Sequence, residues 1–488
     1  MKEELVSFIL GKFTHEPTIE QLQVVRRWAD FLFSPDSDDI FMLQGYAGTG
    51  KTSLVGALVR ALVALRRPVV LLAPTGRAAK VFSLHSDHVA YTIHKKIYRQ
   101  RVFSVEMTGF QSGHNNHEDT LFIVDEASMI ANEGFSGSGF GSGHLLDDLI
   151  HYVYAGRGCR LMLVGDSAQL PPVGEELSPA LSQLALEGYG LNVYSEQLTQ
   201  VVRQVEKSGI LWNATMLRKL ISSDEIGAFP RLKISGFPDV RVVPGDEIVD
   251  LLEDSFYKCG HDQTIVVTRS NRHANIYNNG IRSRILMYDS EIVSGDRLIV
   301  VRNNYYWINE KPQTGEESVS IPLEGQACGA SFIANGDVCV VQRIRNQREL
   351  YGFLFADATL TFPDFDDMEI TATILLDTLQ SESPALTRDQ QNQLFNSVCA
   401  DYPDIHDHRK LMEQIRKDPY FNALQVKYAY AVTCHKAQGG QWQRVFVDQG
   451  YVTSDMLSPD YFRWLYTAIT RATETVYLIN WPQAQIYI

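Results

Sequence analysis

The chain has 488 residues, of which 45% are hydrophobic and 21% charged, and its formal net charge is −14. That length calls for about two to four domains with ample core, and the composition excludes a disordered or fibrous chain. The acidic balance counts against a uniformly basic, nucleic-acid-coating surface, but a binding groove is local and total charge does not exclude one.

Ile40-Phe41-Met42-Leu43 reads as a short buried strand. It runs into Gly45-Tyr46-Ala47-Gly48-Thr49-Gly50-Lys51-Thr52, which fits G-x-x-x-x-G-K-[ST], the phosphate-binding loop. By chance the pattern arises roughly 0.02 times in a chain of this length. Glycines let backbone N–H groups curl around phosphate oxygens, lysine reaches the same oxygens, and the Thr52 hydroxyl suits Mg²⁺. Ser53 to Val59 is the expected helix, its N-terminus facing the phosphates.

Strands and helices then alternate, the signature of a parallel sheet. Pro68 to Ala73, Thr120 to Val124 and Arg160 to Val164 read as strands, followed by Pro74-Thr75-Gly76, Asp125-Glu126 and Gly165-Asp166. Ligands bind beyond the carboxyl ends of such strands. Asp125 is expected to hold Mg²⁺, and Glu126 to orient and deprotonate the attacking water. Between the first strands, His94-Lys95-Lys96-Ile97-Tyr98-Arg99-Gln100-Arg101 is basic with an interleaved aromatic. It suits a nucleic-acid contact or a solvated helix face. The polar stretch Gln111 to Asp119 and the Gly-rich stretch Gly134 to Gly139 read as loops.

Thr264 to Thr268, Arg444 to Asp448 and Val476 to Ile479 read as further strands, with a helix from Tyr461 to Ala472. Short alternating runs such as Arg297 to Val301 and Val338 to Val341 predict a small β-barrel insert, followed by an acidic helical stretch. Six scattered cysteines without C-x-x-C pairs argue against zinc and a disulfide framework. No apolar run is long enough to span a bilayer, and Met1-Lys2-Glu3-Glu4-Leu5 lacks signal-peptide character. The expectation is a cytoplasmic enzyme without a membrane partner.

A series of motifs completes the reading. In order they are Thr18-Ile19-Glu20-Gln21, the phosphate loop, Ala73 to Ala79, Thr92-Ile93-His94, Asp125-Glu126-Ala127-Ser128 and Gly165 to Gly174. Val202-Arg203-Gln204, Thr268-Arg269-Ser270-Asn271, Thr433 to Gly439 and Tyr466 to Ala472 follow. The set resembles the superfamily 1 helicases of the RecD-like, Dda-like branch, over nearly the whole chain and most weakly at about 300–420.

The resemblance implies an α/β fold of two tandem RecA-like P-loop domains. The first would span 1–195, with a small wedge-hairpin insertion at 98–119. The second would span 196–289 and 426–488, with a β-rich SH3-like insertion at 290–425. It implies a monomeric ATP- and Mg²⁺-dependent helicase moving 5′→3′ on single-stranded DNA, acting at single-strand/duplex junctions beside replication, recombination or repair proteins. Gln21 would read adenine. Gly45, Gly48, Thr49, Gly50, Lys51, Thr52 and the Gly439 backbone would surround the phosphates, with Thr52 and Asp125 on Mg²⁺. Lys51, Glu126, Gln169, Arg203 and Arg471 would carry hydrolysis.

Thr75, Arg77, Thr92, His94, Asn271, Thr433 and His435 would contact phosphates and sugars of the strand, which needs no base readout. Phe103 or Phe110 would stack at the duplex junction. Two other classes fit the same residues: an ATPase that remodels protein–DNA complexes without parting strands, and a DNA-binding scaffold without catalysis. Intact Lys51, Asp125, Glu126, Gln169 and Arg471 argue against the scaffold. Pro363-Asp364 and Pro403-Asp404 start like a nuclease motif, but no D-x-K or E-x-K follows, so they read as acidic turns.

Overall fold

The computed structural model describes residues 2–100, 110–132, 142–201, 207–223, 227–308 and 332–487, with backbone alone at 99–100 and 110–111. The chain divides into two compact units, one built from residues up to Ser270 and from Val432 onward, the other from Asn271–Ala431.

Among the described residues the first unit holds two large sheets, of six and of five strands. In chain order come β1 (Asp39–Gly45), β2 (Val69–Ala73), β3 (Ala90–Thr92), the hairpin β4 (Tyr98–Gln100) and β5 (Phe110–Ser112), β6 (Leu121–Val124), β7 (Arg160–Gly165) and β8 (Asn192–Leu198). Six of these form one sheet in the order β3-β2-β6-β7-β1-β8, with every pairing parallel. Its central strands are continuous apolar runs because helices cover both faces. Phe41, Leu43, Leu71, Ile123, Met162 and Val164 are all within 2% exposure. β8 pairs with β1 through Leu198, so this sheet passes residue 195.

After β9 (Leu232–Lys233) come β10 (Val240–Val243) and β11 (Thr264–Thr268). The second sheet joins these to strands from beyond residue 430, in the order β10-β19-β18-β11-β17. They are β17 (Ala431–Thr433), β18 (Trp442–Asp448) and β19 (Ala472–Ile479), and β20 (Ile486–Tyr487) pairs with β9. The helix Pro459–Ile469 starts on a Ser458 cap with proline in its first turn, and buries Phe462, Leu465, Tyr466 and Ala468. It stops before Arg471, which therefore lies in the turn to β19 and not in the helix.

The second unit contains a closed barrel of β12 (Arg297–Val300), β13 (Val338–Leu350), β14 (Phe353–Phe362), β15 (Met368–Leu375) and β16 (Leu424–Tyr428). This is the β-rich insertion, and it reaches Tyr428 because β16 closes the cylinder onto β12. Helices Arg388–Ala400 and His408–Lys417 lie between β15 and β16. Buried Arg282 pairs with Asp296 at 2.8 Å and stacks over Tyr428. No helix among the described residues is long and apolar enough to cross a membrane.

Candidate nucleotide site and strand-contact residues

β1 delivers Gly45 to the phosphate loop, and the helix Lys51–Ala64 leaves it. Gly48 and Gly50 have φ of 78° and 80°, a left-handed conformation that glycine adopts without strain. A Cβ on Gly48 would also stand 2.7 Å from Leu211. Gly50 caps the helix without a side chain, and the first turn holds no acidic residue. The helix N-terminus thus offers free N–H groups and its positive dipole end to an anion. Thr49 Oγ1 donates to Tyr46 O at 2.8 Å, closing the loop. Lys51 Nζ donates to Gly45 O and to Tyr46 O, and stands 3.9 Å from Asp166 Oδ2.

Gln21 is fully buried. Its Oε1 accepts from Thr18 N at 3.0 Å in a capping box, and its Nε2 points at Thr49 O and Gly50 O, each at 3.4 Å. The amide expected to read adenine is engaged here with its own helix cap and the phosphate-loop backbone.

Asp125 and Glu126 follow β6. Burial, and then the Glu126 charge beside it, push the Asp125 carboxyl up to about 7. Such a site favours a bound cation, which would restore the ionised form, and Asp125 fits Mg²⁺ on that ground, while Thr52 lies in the first turn of the helix that follows the phosphate loop. Glu126 N donates to Asp125 Oδ1 at 2.9 Å, and Glu126 itself has φ 52°, costly for a residue with a Cβ. Gln169 lies after β7 and is 6% exposed, and its Oε1 finds no partner among the described residues. An orphaned buried acceptor on the turn after Asp166, whose carboxylate faces Lys51, fits a water or hydroxyl donor of the substrate complex.

Arg471 comes from the second sheet. Nη1 stands 4.0 Å from Glu126 Oε1, Nε donates to Thr467 O at 3.1 Å, and Nη1 to Gly440 O at 3.3 Å. More residues of the second sheet reach the same loops than were assigned a role from the motif series. Tyr466 Oη donates to Asp166 Oδ2 at 2.7 Å and accepts from Ala47 N at 2.8 Å. Thr467 Oγ1 accepts from Leu170 N at 2.9 Å, Gln438 Nε2 donates to Leu170 O at 2.7 Å, and Arg463 donates to Ser167 O. The sequence signal was present: Tyr466 and Thr467 lie in the run that pointed to Arg471. Gly439 (φ 71°) packs against Thr75 and Ala78, where a Cβ would meet Ala78 Cβ at 3.0 Å.

The expected strand contacts divide. Thr75 and Thr92 cap the helices Gly76–Ser86 and Ile93–Ile97 by accepting from Ala78 N and Lys95 N. Arg77 stacks over Trp442 at 4.2 Å and donates to Gln441 O at 3.0 Å. His94 is half-buried, and burial lowers its imidazole to about 4, so it stays neutral near pH 7. Thr433 and His435 begin the short helix Cys434–Ala437, His435 exposed. Asn271 belongs to the other unit, where its amide donates to Glu382 O at 3.1 Å. Arg203, Phe103 and the Phe110 side chain lie outside the described residues.

Residues 20–236 match the AAA domain, and residues 428–479 the UvrD-like helicase C-terminal domain. The chain is 22% identical to protein R530 of Acanthamoeba polyphaga mimivirus, over 89% of this chain and 94% of that one. It is 33% identical to the ATP-dependent RecD2 DNA helicase of Deinococcus radiodurans over 175 residues, 35% of this chain and 21% of that one. Among solved structures it is similar to the Pif1 helicase from Bacteroides in complex with ADP-AlF3 and single-stranded DNA, at 14% identity and TM-score 0.45, covering 97% and 95%. The Pif1 helicase from Candida albicans gives 15% identity and TM-score 0.39, covering 97% and 96%. The phosphate loop and carboxylate pair lie inside the AAA-domain match and the arginine that faces them inside the UvrD-like helicase C-terminal match, so this chain carries both domains of a superfamily 1 helicase.

Proposed function

We propose that this ATP-hydrolysing helicase steps 5′→3′ along single-stranded DNA and separates the duplex at a single-strand/duplex junction. The observation that carries the reading is Arg471, brought by the second sheet to 4.0 Å from Glu126 of the first. Hydrolysis then depends on both sheets, which is what a stepping motor needs.

The phosphate loop binds the β- and γ-phosphates through its N–H groups and Lys51. Mg²⁺, held by Thr52 and Asp125, would neutralise charge on the phosphate oxygens. Glu126 orients a water and takes its proton as the water oxygen bonds to the γ-phosphorus and the bond to ADP breaks. The free Gln169 Oε1 accepts from that water, and Arg471 stabilises charge on the transferring group. The motif series of the RecD-like branch supports the direction. Arg77, Thr92 and His94 offer phosphate and sugar contacts despite the −14 net charge.

Strand displacement on 5′-tailed and 3′-tailed duplexes tests the reading. Separation of the 5′-tailed substrate alone is expected. Separation from the 3′ tail would overturn the direction, and ATP turnover without separation of either would leave a remodelling ATPase.

A further inference from the structure

Tyr466 has no role in the hydrolysis scheme above, yet it is the side chain that touches the phosphate loop from the second sheet's helix. It is 1% exposed, and burial, then the Asp166 charge, hold its phenol well above the ordinary tyrosine value. A phenol both donates and accepts. Here it donates to a carboxylate and accepts from a backbone amide, so one hydroxyl ties Asp166 to Ala47. Asp166 Oδ1 is held by Ala168 N at 3.0 Å, and Gln169 N bonds Asp166 O at 3.2 Å. The turn that carries Gln169 is therefore built on Asp166. Asp166 Oδ2, which takes the phenol, also faces Lys51 Nζ at 3.9 Å.

We infer that Tyr466 is a positioning residue: its hydroxyl fixes the phosphate loop and the Asp166–Gln169 turn in one mutual arrangement, and makes the hydrolytic geometry depend on the helix Pro459–Ile469. The inference rests on the ATP-hydrolysis reading of the site. Without the hydroxyl, Ala47 N–H and one Asp166 oxygen lose their partner in a buried place. Asp166 Oδ2 is then left to Lys51, and draws the ammonium away from the phosphates. Displacements near 1 Å at a reacting centre cost far more in rate than in binding. Each stroke that parts the two sheets must also break this hydroxyl's bonds, so loop geometry and sheet position change together.

The test is Tyr466→Phe, which keeps the ring and removes one oxygen. Strand-stimulated ATP turnover is expected to fall about tenfold in kcat, with KM within about threefold. Hydrogen exchange of the 45–52 segment in the nucleotide-free protein is expected to quicken. A folded variant with normal kcat, or with unaltered exchange at 45–52, overturns the inference. A variant that does not fold also overturns it, because the hydroxyl then holds the fold as a whole and not the geometry of the site. The exchange measurement does not depend on hydrolysis. Faster exchange in Tyr466→Phe, together with full turnover in Lys51→Ala, would instead sink the hydrolysis reading and leave the positioning role standing.

Discussion

Removing the Arg471 guanidinium should cost turnover about a thousandfold while nucleotide binding changes little. The side chain is 5% exposed and its Nη1 stands 4.0 Å from Glu126 Oε1. A guanidinium charge about 4 Å from an oxygen of the transferring phosphoryl group is worth about 4 kcal/mol at an effective dielectric near 20. Spent only on the transition state, this is a factor of about 10³ in rate, the low end of the range for arginine fingers. Arg471→Ala also deprives Gly440 O and Thr467 O of a charged donor, about 1–3 kcal/mol of stability. Melting should therefore fall by several degrees, and the assay belongs at a temperature where the variant is folded. Arg471→Lys restores charge without the planar fork and should recover little. The measurement is strand-stimulated turnover at saturating ATP, beside nucleotide affinity by equilibrium titration, for wild type and both variants. Turnover within about threefold of wild type in folded Arg471→Ala would refute the reasoning and leave a one-sheet ATPase.

Lys51→Ala should abolish ATP turnover, by at least about a hundredfold, with only a small change in melting, because the ammonium bonds two loop carbonyls, faces Asp166 at 3.9 Å and packs no core; residual turnover of a few-fold less would discredit the site. Single-stranded DNA should stimulate turnover, and its affinity should fall with salt. Arg77→Ala should weaken it whatever the sequence and reduce the salt slope by about one, as gel-shift or anisotropy titrations at several salt concentrations would read. His94 gives a pH effect whose sign is fixed. Its folded value is lowered to about 4, whereas the unfolded chain takes up the proton near 6.5, so its contribution is complete above about pH 6.5 and lost as pH falls towards 4. His94→Gln should flatten denaturant-measured stability across that window, by no more than about 3 kcal/mol; an unchanged slope would show the imidazole to be freely protonated in the folded protein.

Strands buried on both faces were legible because short continuous apolar runs bounded by turn residues have few other uses in an α/β fold. Thr264 to Thr268 was read with the bounds it has in the fold, and Ile40 to Leu43 sits inside β1. β8 escaped because an edge strand is half solvated: Asn192, Glu196 and Gln197 interrupt its pattern, and only Leu198 is fully buried. The barrel strands alternate and announced themselves, although β16 closes the cylinder from beyond two helices, and local pattern does not encode closure. In the site, the phosphate loop was legible because its chemistry lies in eight consecutive residues. The Tyr466–Asp166–Ala47 bridge was not, since its members come from three distant segments and the rule joining them is tertiary. Gln21 shows an intermediate case. Thr18-x-x-Gln21 is also the pattern of a capping box, and a second use of the amide was visible in the sequence itself.

The second sheet is assembled from two stretches of chain that synthesis separates. β11 ends just before the barrel unit begins and β17 resumes as that unit ends, and the two strands are neighbours in the finished sheet. Thr268 Oγ1 even points to Val432 O, at 3.4 Å. On a ribosome, β11 emerges without its sheet neighbours and waits for the 161 residues of Asn271–Ala431 before β17 follows, and β10 waits longer still, for β19. Closing a flexible loop of that length costs about 4–5 kcal/mol, a toll that vanishes once the barrel has folded and pinned its own two ends together. Completion of the sheet that leads to Tyr466 and Arg471 thus waits on the chain of the barrel unit. Because departure and return points lie on adjacent strands, a short turn from Ser270 to Val432 could replace the whole barrel and leave the sheet's register intact.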